Sequence, residues 1–402
     1  MTGRQRIDWA SSTMPVLAKI REDFEAKQPL KGIKVGVCLH LTKETAVLLE
    51  TLKAGGAQVC ACASNPLSTQ DDVVKELIEQ NISVVGKYGE SMDEYNLGLK
   101  FVALQEPQIV IDDGGDLTKE IHSKLSQSNP FVMPMGGLEE TTTGINVIKQ
   151  MILSYPIFNV NGAKTKSLFD NVYGTGQSTV DALMRATNGL LAGKTFVVAG
   201  YGNCGKGLAK RAQGMGCNVI VTEIDPVKAL QAHMDGYRVM GMREASELGD
   251  IFVTVTGNIN VIDFRHFNSL KEGAILANAG HFDVEINGKE LKSLSSKSVE
   301  ISANIKEYTL QKTGQKVYLL SEGRLVNLAA AEGHPSAVMD MSFANQALGV
   351  EFLVNHAKEF SPKVHDLPEA IDNKVALMKL ESFGIVIDEL SPQQKEYLGH
   401  AI

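Results

Sequence analysis

The chain has 402 residues, of which 44% are hydrophobic and 21% charged. These proportions exclude a disordered chain, a collagen-like chain and a coiled-coil rod, and the length suits roughly two or three domains. A formal charge of −8 with no long Lys/Arg run argues against a sequence-independent nucleic-acid or anionic-membrane surface.

The cysteines are Cys38, Cys60, Cys62, Cys204 and Cys217. An odd number without a CxxC pair reads as reduced thiols in a cytoplasmic protein, not as a disulfide framework. Residues 1–26 carry charges throughout and lack an apolar h-region, so no signal peptide is expected. No apolar run approaches the ~18 residues of a membrane span.

From residue 32 onward, strand-like and helix-like segments alternate. Short β-branched runs predict strands at 33–38, 58–63, 82–85, 108–111 and 131–133, with helical patterns at 45–52 and 71–80 between them. A second series predicts strands at 195–199, 218–222, 251–255, 274–277 and 317–320. Such alternation implies βαβ units and mainly parallel sheets, here two doubly wound α/β halves. The join near 160–190 is rich in Asn, Gly, Thr and Lys and predicts a short structured hinge.

Gly200, Gly202 and Gly205 form a GxGxxG run between a predicted strand and a predicted helix, and Glu223 ends the following strand. That context is the dinucleotide fingerprint. The first glycine permits the tight turn, the second lets backbone approach a pyrophosphate, and the third packs helix on sheet. Glu223 would accept from an adenosine ribose and repel a 2′-phosphate, which favours NAD over NADP; nearby Lys228 weakens that exclusion.

In the first half, polar groups follow three strands: His40 and Thr42; Asp112, Asp113 and Asp116; and Glu139, Glu140, Thr141, Thr142 and Thr143. Ligands of open α/β sheets bind beyond the carboxyl ends of strands, so three such clusters predict one shared pocket. Lys166 and Asp170 are spaced i, i+4 and share a proton if helical. Asn161 and Asn171 flank them. Asn278-Ala279-Gly280-His281 follows a second-half strand, where small residues allow close approach to a nicotinamide ring. His334 lies between chain-breaking Gly333 and Pro335. The histidines show no HxxxH-like spacing, so no metal is expected.

These residues sit in long motifs: CLHLTKETAVLLETL, IDDGGDLT, EETTTG, KSLFDNVYGTGQS, VVAGYGNCGKG, VTEIDP, NAGHFDVEI and EGRLVNLAAAEGHPS. Through them the chain resembles the S-adenosyl-L-homocysteine hydrolase family from about Asp8 to Leu398. The resemblance implies reversible cleavage of S-adenosylhomocysteine to adenosine and homocysteine with a tightly bound NAD+. In that chemistry the 3′-hydroxyl is oxidised, the C4′ proton becomes acidic, the 5′ thiolate is eliminated, water adds and the hydride returns.

By position, the resemblance assigns Lys166 and Asp170 to the 3′-hydroxyl, with Lys166 as base. Asp116 falls near C4′, Glu140 at the ribose hydroxyls, and His40 and His281 near C5′. Thr42, Glu44 and His334 fall at the purine end. NAD contacts fall on Thr141, Thr142, Thr143, Asn171, Asn327, the run Gly202, Asn203, Cys204, Gly205, Lys206 and Gly207, and on Glu223, Lys228, Ala279, Gly280, His281 and His334.

The family architecture implies a substrate-binding domain at 1–175 with a returning segment at 335–365, an NAD-binding domain at 176–334, a C-terminal segment at 366–402, and a homotetramer. Thr175 stands where many relatives carry Cys, and Lys228 where they carry Asn. The sequence ends soon after Tyr397-Leu398-Gly399, without the longer tail of other members, so weaker NAD binding is expected. This short form resembles an archaeal and thermophilic-bacterial branch in which some members prefer S-inosylhomocysteine. Three alternatives stay open at this point: that inosyl preference, an ordinary dehydrogenase releasing NADH, and a catalytically silent NAD-binding relative.

Overall fold

A computed structural model describes residues 1–125 and 132–399. The chain builds two sheets. The first contains β1 (Lys34–Leu39), β2 (Gln58–Ala63), β3 (Ser83–Val85), β4 (Ile109–Asp112), β5 (Gly136–Glu139) and β6 (Ile157–Asn159). The second contains β7 (Thr195–Ala199), β8 (Asn218–Thr222), β9 (Arg238–Val239), β10 (Ile251–Thr254), β11 (Ala274–Asn278), β12 (Ser295–Ser302), β13 (Ile305–Leu310) and β14 (Lys316–Leu320). A last strand, β15 (Val364–Asp366), returns to the first sheet.

Spatial order in the first sheet is β15-β6-β5-β4-β1-β2-β3, and in the second β12-β13-β14-β11-β10-β7-β8-β9. All pairings in the first sheet are parallel. β1 and β2 are buried after their first residue and β4 throughout, because helices cover both faces and leave no solvent side for alternation. The fold is therefore the expected α/β class with two mainly parallel, doubly wound sheets.

One expectation needs correction. The strand predicted at 131–133 is not where the fifth strand lies. Phe131 falls outside the described residues, 132–133 are irregular, and the strand is β5. Gly136 and Gly137 hid it, since glycine carries no strand signature; a Cβ on Gly136 would strike Leu353 at 2.6 Å. The second sheet is mainly parallel, as expected, with an antiparallel addition at one edge. β12 and β13 form a hairpin that runs antiparallel onto β14. β12 is mostly solvent-facing, so its polar composition gave no strand signal.

The helix Ser336–His356 carries the chain back from the second sheet to the first. It buries residues all round, including Asp340, Ser342, Asn345 and Gln346. A helix with polar groups buried on it is paired with something specific, and several of its partners lie at the site. Among the described residues no helix is long and apolar enough to cross a membrane.

Candidate active site

The carboxyl ends of both sheets face one cavity of about 1120 Å³. That exceeds the ~300–1,000 Å³ usual for a single small ligand, so it has room for a dinucleotide and a second molecule.

From the first sheet, β1 leads into His40, β4 into Asp113, and β5 into Glu140 and Thr141, all of which line the cavity. Thr42 caps the helix Lys43–Ala54, accepting from the Thr45 amide. Glu44, in that helix's first turn, is buried and accepts from Ser336 Oγ at 2.6 Å, with Lys43 Nζ at 3.3 Å from the same oxygen.

Past β6, the short helix Lys164–Ser167 carries Lys166 and is followed by a π-helical turn, Asp170–Gly174. No continuous helix links the i, i+4 pair. Even so, Lys166 Nζ lies 2.8 Å from Asp170 Oδ2 and 3.7 Å from Glu140 Oε1. It also donates to Asn161 Oδ1 at 3.1 Å and Asn171 Oδ1 at 2.9 Å. Asp170 and the two asparagines thus take all three ammonium hydrogens. Burial works against the charge on Lys166, but Asp170 and Glu140 outweigh it and hold its pKa above the ordinary value. Burial likewise opposes charge on Asp170, yet His334 and Lys166 hold that carboxyl well below the usual range. The other Asp170 oxygen meets His334 Nδ1 in a short hydrogen bond, and His334 Nε2 lies 3.2 Å from Thr175 Oγ1.

Glu140 is fixed by two donors that sequence reasoning missed. Ser342 Oγ gives a short bond to Oε1, and Gln346 Nε2 donates to Oε2 at 2.6 Å. Both come from the returning helix, more than 200 residues away, and no local signal marks them. Burial raises the Glu140 pKa, while Lys166 draws it down.

Three groups meet at the seam between the sheets. His40 Nε2 is 3.4 Å from Asp113 Oδ2, and His281 Nδ1 is 3.7 Å from Asp113 Oδ1. Ser68 Oγ lies 2.7 Å from His40 Nδ1. Burial drops the His40 pKa to about 4 against the pull of Asp113, so its imidazole is neutral at neutral pH. The ligand atoms of His40, Asp113 and His281 lie within 4.8 Å of one another and can hold a metal ion. Sequence spacing alone had argued against such a group; three distant segments form it.

The assignment of Asp116 is corrected here. Asp116 begins the helix Asp116–Leu125 and turns outward, accepting from Tyr95 Oη at 3.0 Å and pairing with Lys119 at 2.9 Å. It does not line the cavity, whereas Asp113 does. Gly114 and Gly115 both have positive φ (106° and 82°), and this turn sends the two carboxylates in different directions. A Cβ on Gly114 would meet His281 Nε2 at 2.9 Å, so glycine also admits His281.

From the second sheet, Gly200, Gly202, Asn203, Cys204, Glu223, Lys228, Ala279, Gly280, His281, Asn327 and His334 line the cavity, as do Thr142, Thr143, Asn171 and Thr175 from the first half. Gly205, Lys206 and Gly207 do not. A Cβ on Gly205 would strike the Gly200 carbonyl and one on Gly207 the Val172 carbonyl; both glycines seat the helix Asn203–Gly214 rather than touch a ligand. Lys206 Nζ instead sits 5.9 Å from the Tyr201 ring centroid.

The residues fit a dinucleotide. The helix Asn203–Gly214 starts at Gly202 without a side-chain cap, and a Cβ on Gly202 would meet nothing within 4 Å. That leaves an open cradle of amide donors suited to a pyrophosphate. The Glu223 carboxylate is anchored by the amides of Tyr201 (2.7 Å), Ile224 (2.7 Å) and Asp225 (3.1 Å), which fixes a negative charge where a ribose would sit. Lys228 turns to Asp225 at 3.7 Å. Asn327 donates to Ser178 Oγ, but its Oδ1 is buried without a partner, a vacant acceptor in the cavity wall.

Comparison with known proteins agrees with this geometry. The family described as "S-adenosyl-L-homocysteine hydrolase" matches residues 1–137, and "S-adenosyl-L-homocysteine hydrolase, NAD binding domain" matches 171–333. The chain is 55% identical to the adenosylhomocysteinase of Aquifex aeolicus (strain VF5), over 98% of this chain and 95% of that protein. It is 54% identical to the adenosylhomocysteinase of Saccharolobus solfataricus, with the same coverages. Against the S-inosyl-L-homocysteine hydrolase of Methanopyrus kandleri, identity is 51% over 98% of this chain and 94% of that one. The likeness runs through both sheets and the cavity between them, and the chain belongs to the S-adenosyl-L-homocysteine hydrolase family.

Proposed function

We propose that this chain catalyses the reversible hydrolysis of S-adenosyl-L-homocysteine to adenosine and L-homocysteine with NAD as resident cofactor. The observation that carries the reading is the buried Lys166–Asp170–Glu140 cluster facing the open dinucleotide cradle within one cavity. NAD+ bound there would reversibly accept a hydride from C3′, which makes the C4′ proton acidic and the 5′ thioether a workable leaving group.

The chain's own residues divide the remaining work. Glu140, held by Ser342 and Gln346, accepts from the ribose hydroxyls and orients the sugar. Lys166 takes the 3′-hydroxyl proton. Because its resting form is the ammonium, it first gives up a proton, and the Asp170 carboxylate at 2.8 Å is the nearest acceptor. Asp113, in place of Asp116, takes the C4′ proton. His40 and His281, both beside Asp113, relay the proton taken from C4′ to the departing sulfur, and one of them takes a proton from the attacking water. Asn327, Glu223, Thr142 and the cradle from Gly200 to Cys204 would hold the dinucleotide.

Glu44 supports the adenosyl substrate over the inosyl one. A buried carboxylate accepts hydrogen bonds and donates none. It suits the 6-amino group of adenine and opposes the 6-oxo group of hypoxanthine.

In domain terms, residues 1–175 with 335–365 would form the substrate-binding unit, 176–334 the NAD-binding unit, and 366–402 a C-terminal segment. A homotetramer in the cytoplasm is the assembly and location that complete this reading. Unpaired apolar surface supports self-association: Val386 and Tyr397 are 94% and 90% exposed, and Ile224, Val227, Leu230 and Met234 form an exposed apolar stripe. Light scattering tests the assembly.

The test of function is homocysteine release from S-adenosyl- and S-inosylhomocysteine side by side. The reading expects rapid release from the adenosyl substrate without net NADH, and release at least about tenfold slower from the inosyl one. Net NADH would indicate a dehydrogenase. Faster inosyl turnover would overturn the Glu44 argument, and release from neither would indicate a silent relative.

A further inference from the structure

The helix that carries Lys166 is four residues long, too short to hold its own position. Its first two amides have no partner within the turn. They point at a carboxylate more than 200 residues away. Asp372, in the helix Glu369–Ser382, accepts from the Lys164 amide at 2.6 Å through Oδ2. Through Oδ1 it accepts from the Thr165 amide at 2.9 Å and from Thr165 Oγ1 at 2.5 Å. Thr165 Oγ1 in turn accepts from Asn345 Nδ2 at 2.7 Å. Asp372 is 7% exposed, Thr165 5% and Asn345 0%, so water cannot take over these bonds. The neighbouring cation, Lys164 Nζ, pairs with Glu369 at 3.6 Å instead. Among the described residues, the Asp372 carboxylate accepts only from the two amides and the hydroxyl at the start of the Lys166 turn.

We infer that Asp372 is a positioning residue for Lys166: it clamps the turn from the C-terminal segment and so sets where the ammonium stands relative to Asp170 and the substrate 3′-hydroxyl. The inference rests on the assignment of Lys166 as the 3′-hydroxyl base. Geometry favours this role over simple packing. The carboxylate spends both oxygens on one turn, immediately before the side chain that must be placed, and a misplacement near 1 Å costs on the order of a hundredfold in rate. The returning helix supplies both Asn345 for this clamp and Gln346 for Glu140, so the lysine and its facing carboxylate are indexed from one rigid element.

The test compares holoenzyme carrying Asp372→Asn, Asp372→Glu and Thr165→Val with the wild type. Asp372→Asn should lower the rate at which adenosine reduces the bound cofactor, followed at 340 nm, at least about tenfold, with KM changed less than threefold. The pH profile of that step should move as well, and Asp372→Glu should recover part of the rate. Binding of 3′-deoxyadenosine, which lacks the hydroxyl that Lys166 serves, should change less than twofold. Thr165→Val removes the hydroxyl from the opposite side of the same clamp and should give a smaller loss of the same kind. A loss of 3′-deoxyadenosine affinity as large as the loss of adenosine oxidation rate would mean a merely structural role and would overturn the inference, as would an unchanged oxidation rate in a folded Asp372→Asn protein. Amide hydrogen exchange at 164–168 reads the clamp whatever the enzyme turns over. Local acceleration in Asp372→Asn is expected, and unchanged exchange refutes the clamp. If the wild type fails to release homocysteine while exchange still accelerates, the activity assignment fails and the clamp stands.

Discussion

His40 offers a quantitative check on the electrostatics at the seam between the sheets. In an unfolded chain its imidazole binds a proton near pH 6.5; in the fold, burial drops that to about 4, even with Asp113 pulling the other way. As pH falls through this window, the unfolded state gains the proton first, so stability falls with pH by about 1.4 kcal/mol per pH unit. The full interval corresponds to roughly 3 kcal/mol. The 19% of the side chain that remains accessible makes this an upper figure. His40→Asn removes the titration, so between pH 7 and pH 4 the wild type should lose up to about 3 kcal/mol more than the variant. Urea midpoints of both proteins across that range give the difference curve. An NMR titration of the His40 ring, assigned by its absence from the variant, gives the pKa directly. A ring that titrates near 6 in the folded protein, or two stability curves that stay parallel, would refute the claim that burial keeps this histidine neutral.

Other substitutions probe the neighbouring features. Asp113→Asn should cut turnover by about 10²–10⁴-fold, while Asp116→Asn, on a carboxylate turned toward Tyr95 and Lys119, should cost less than about tenfold; the reverse order in a homocysteine-release assay would restore the original assignment. Gly207→Ala places a methyl 1.8 Å from the Val172 carbonyl and must displace the helix Asn203–Gly214. It should destabilise by about 1–3 kcal/mol and weaken NAD binding, measured by thermal melting and calorimetric titration. Gln346→Leu strips Glu140 Oε2 of its donor inside the core. It should cost about 1–3 kcal/mol of stability and drive the Glu140 pKa further up, seen as a shifted acid limb in the pH–rate profile.

Much of this arrangement was legible because its determinants are local. The glycine run and Glu223 lie within a single βαβ unit, where spacing along the chain fixes spacing in space. Lys166 and Asp170 were paired for a reason that is only half right: the i, i+4 spacing holds, but a π-helical turn, not a continuous helix, brings them together. The error over Asp113 and Asp116 has a definite source. Both carboxylates occupy one loop, and two left-handed glycines between them decide which faces inward; composition does not record that turn. Ser342, Gln346 and Asp372 were not legible at all. Each acts across more than 200 residues, and within its own helix it is an ordinary polar position. The hairpin of β12 and β13 was missed because a solvent-facing strand has no apolar pattern to read.

Catalysis in this cavity depends on oxidation at C3′, which lets the C4′ proton leave. Incubating holoenzyme with adenosine in D2O reads that acidity without any need for turnover of the thioether. Deuterium is expected at C4′ of the recovered adenosine, with exchange slowed in Asp113→Asn and absent in a Lys166→Met protein. Homocysteine release from S-adenosylhomocysteine without any C4′ exchange would contradict this dependence.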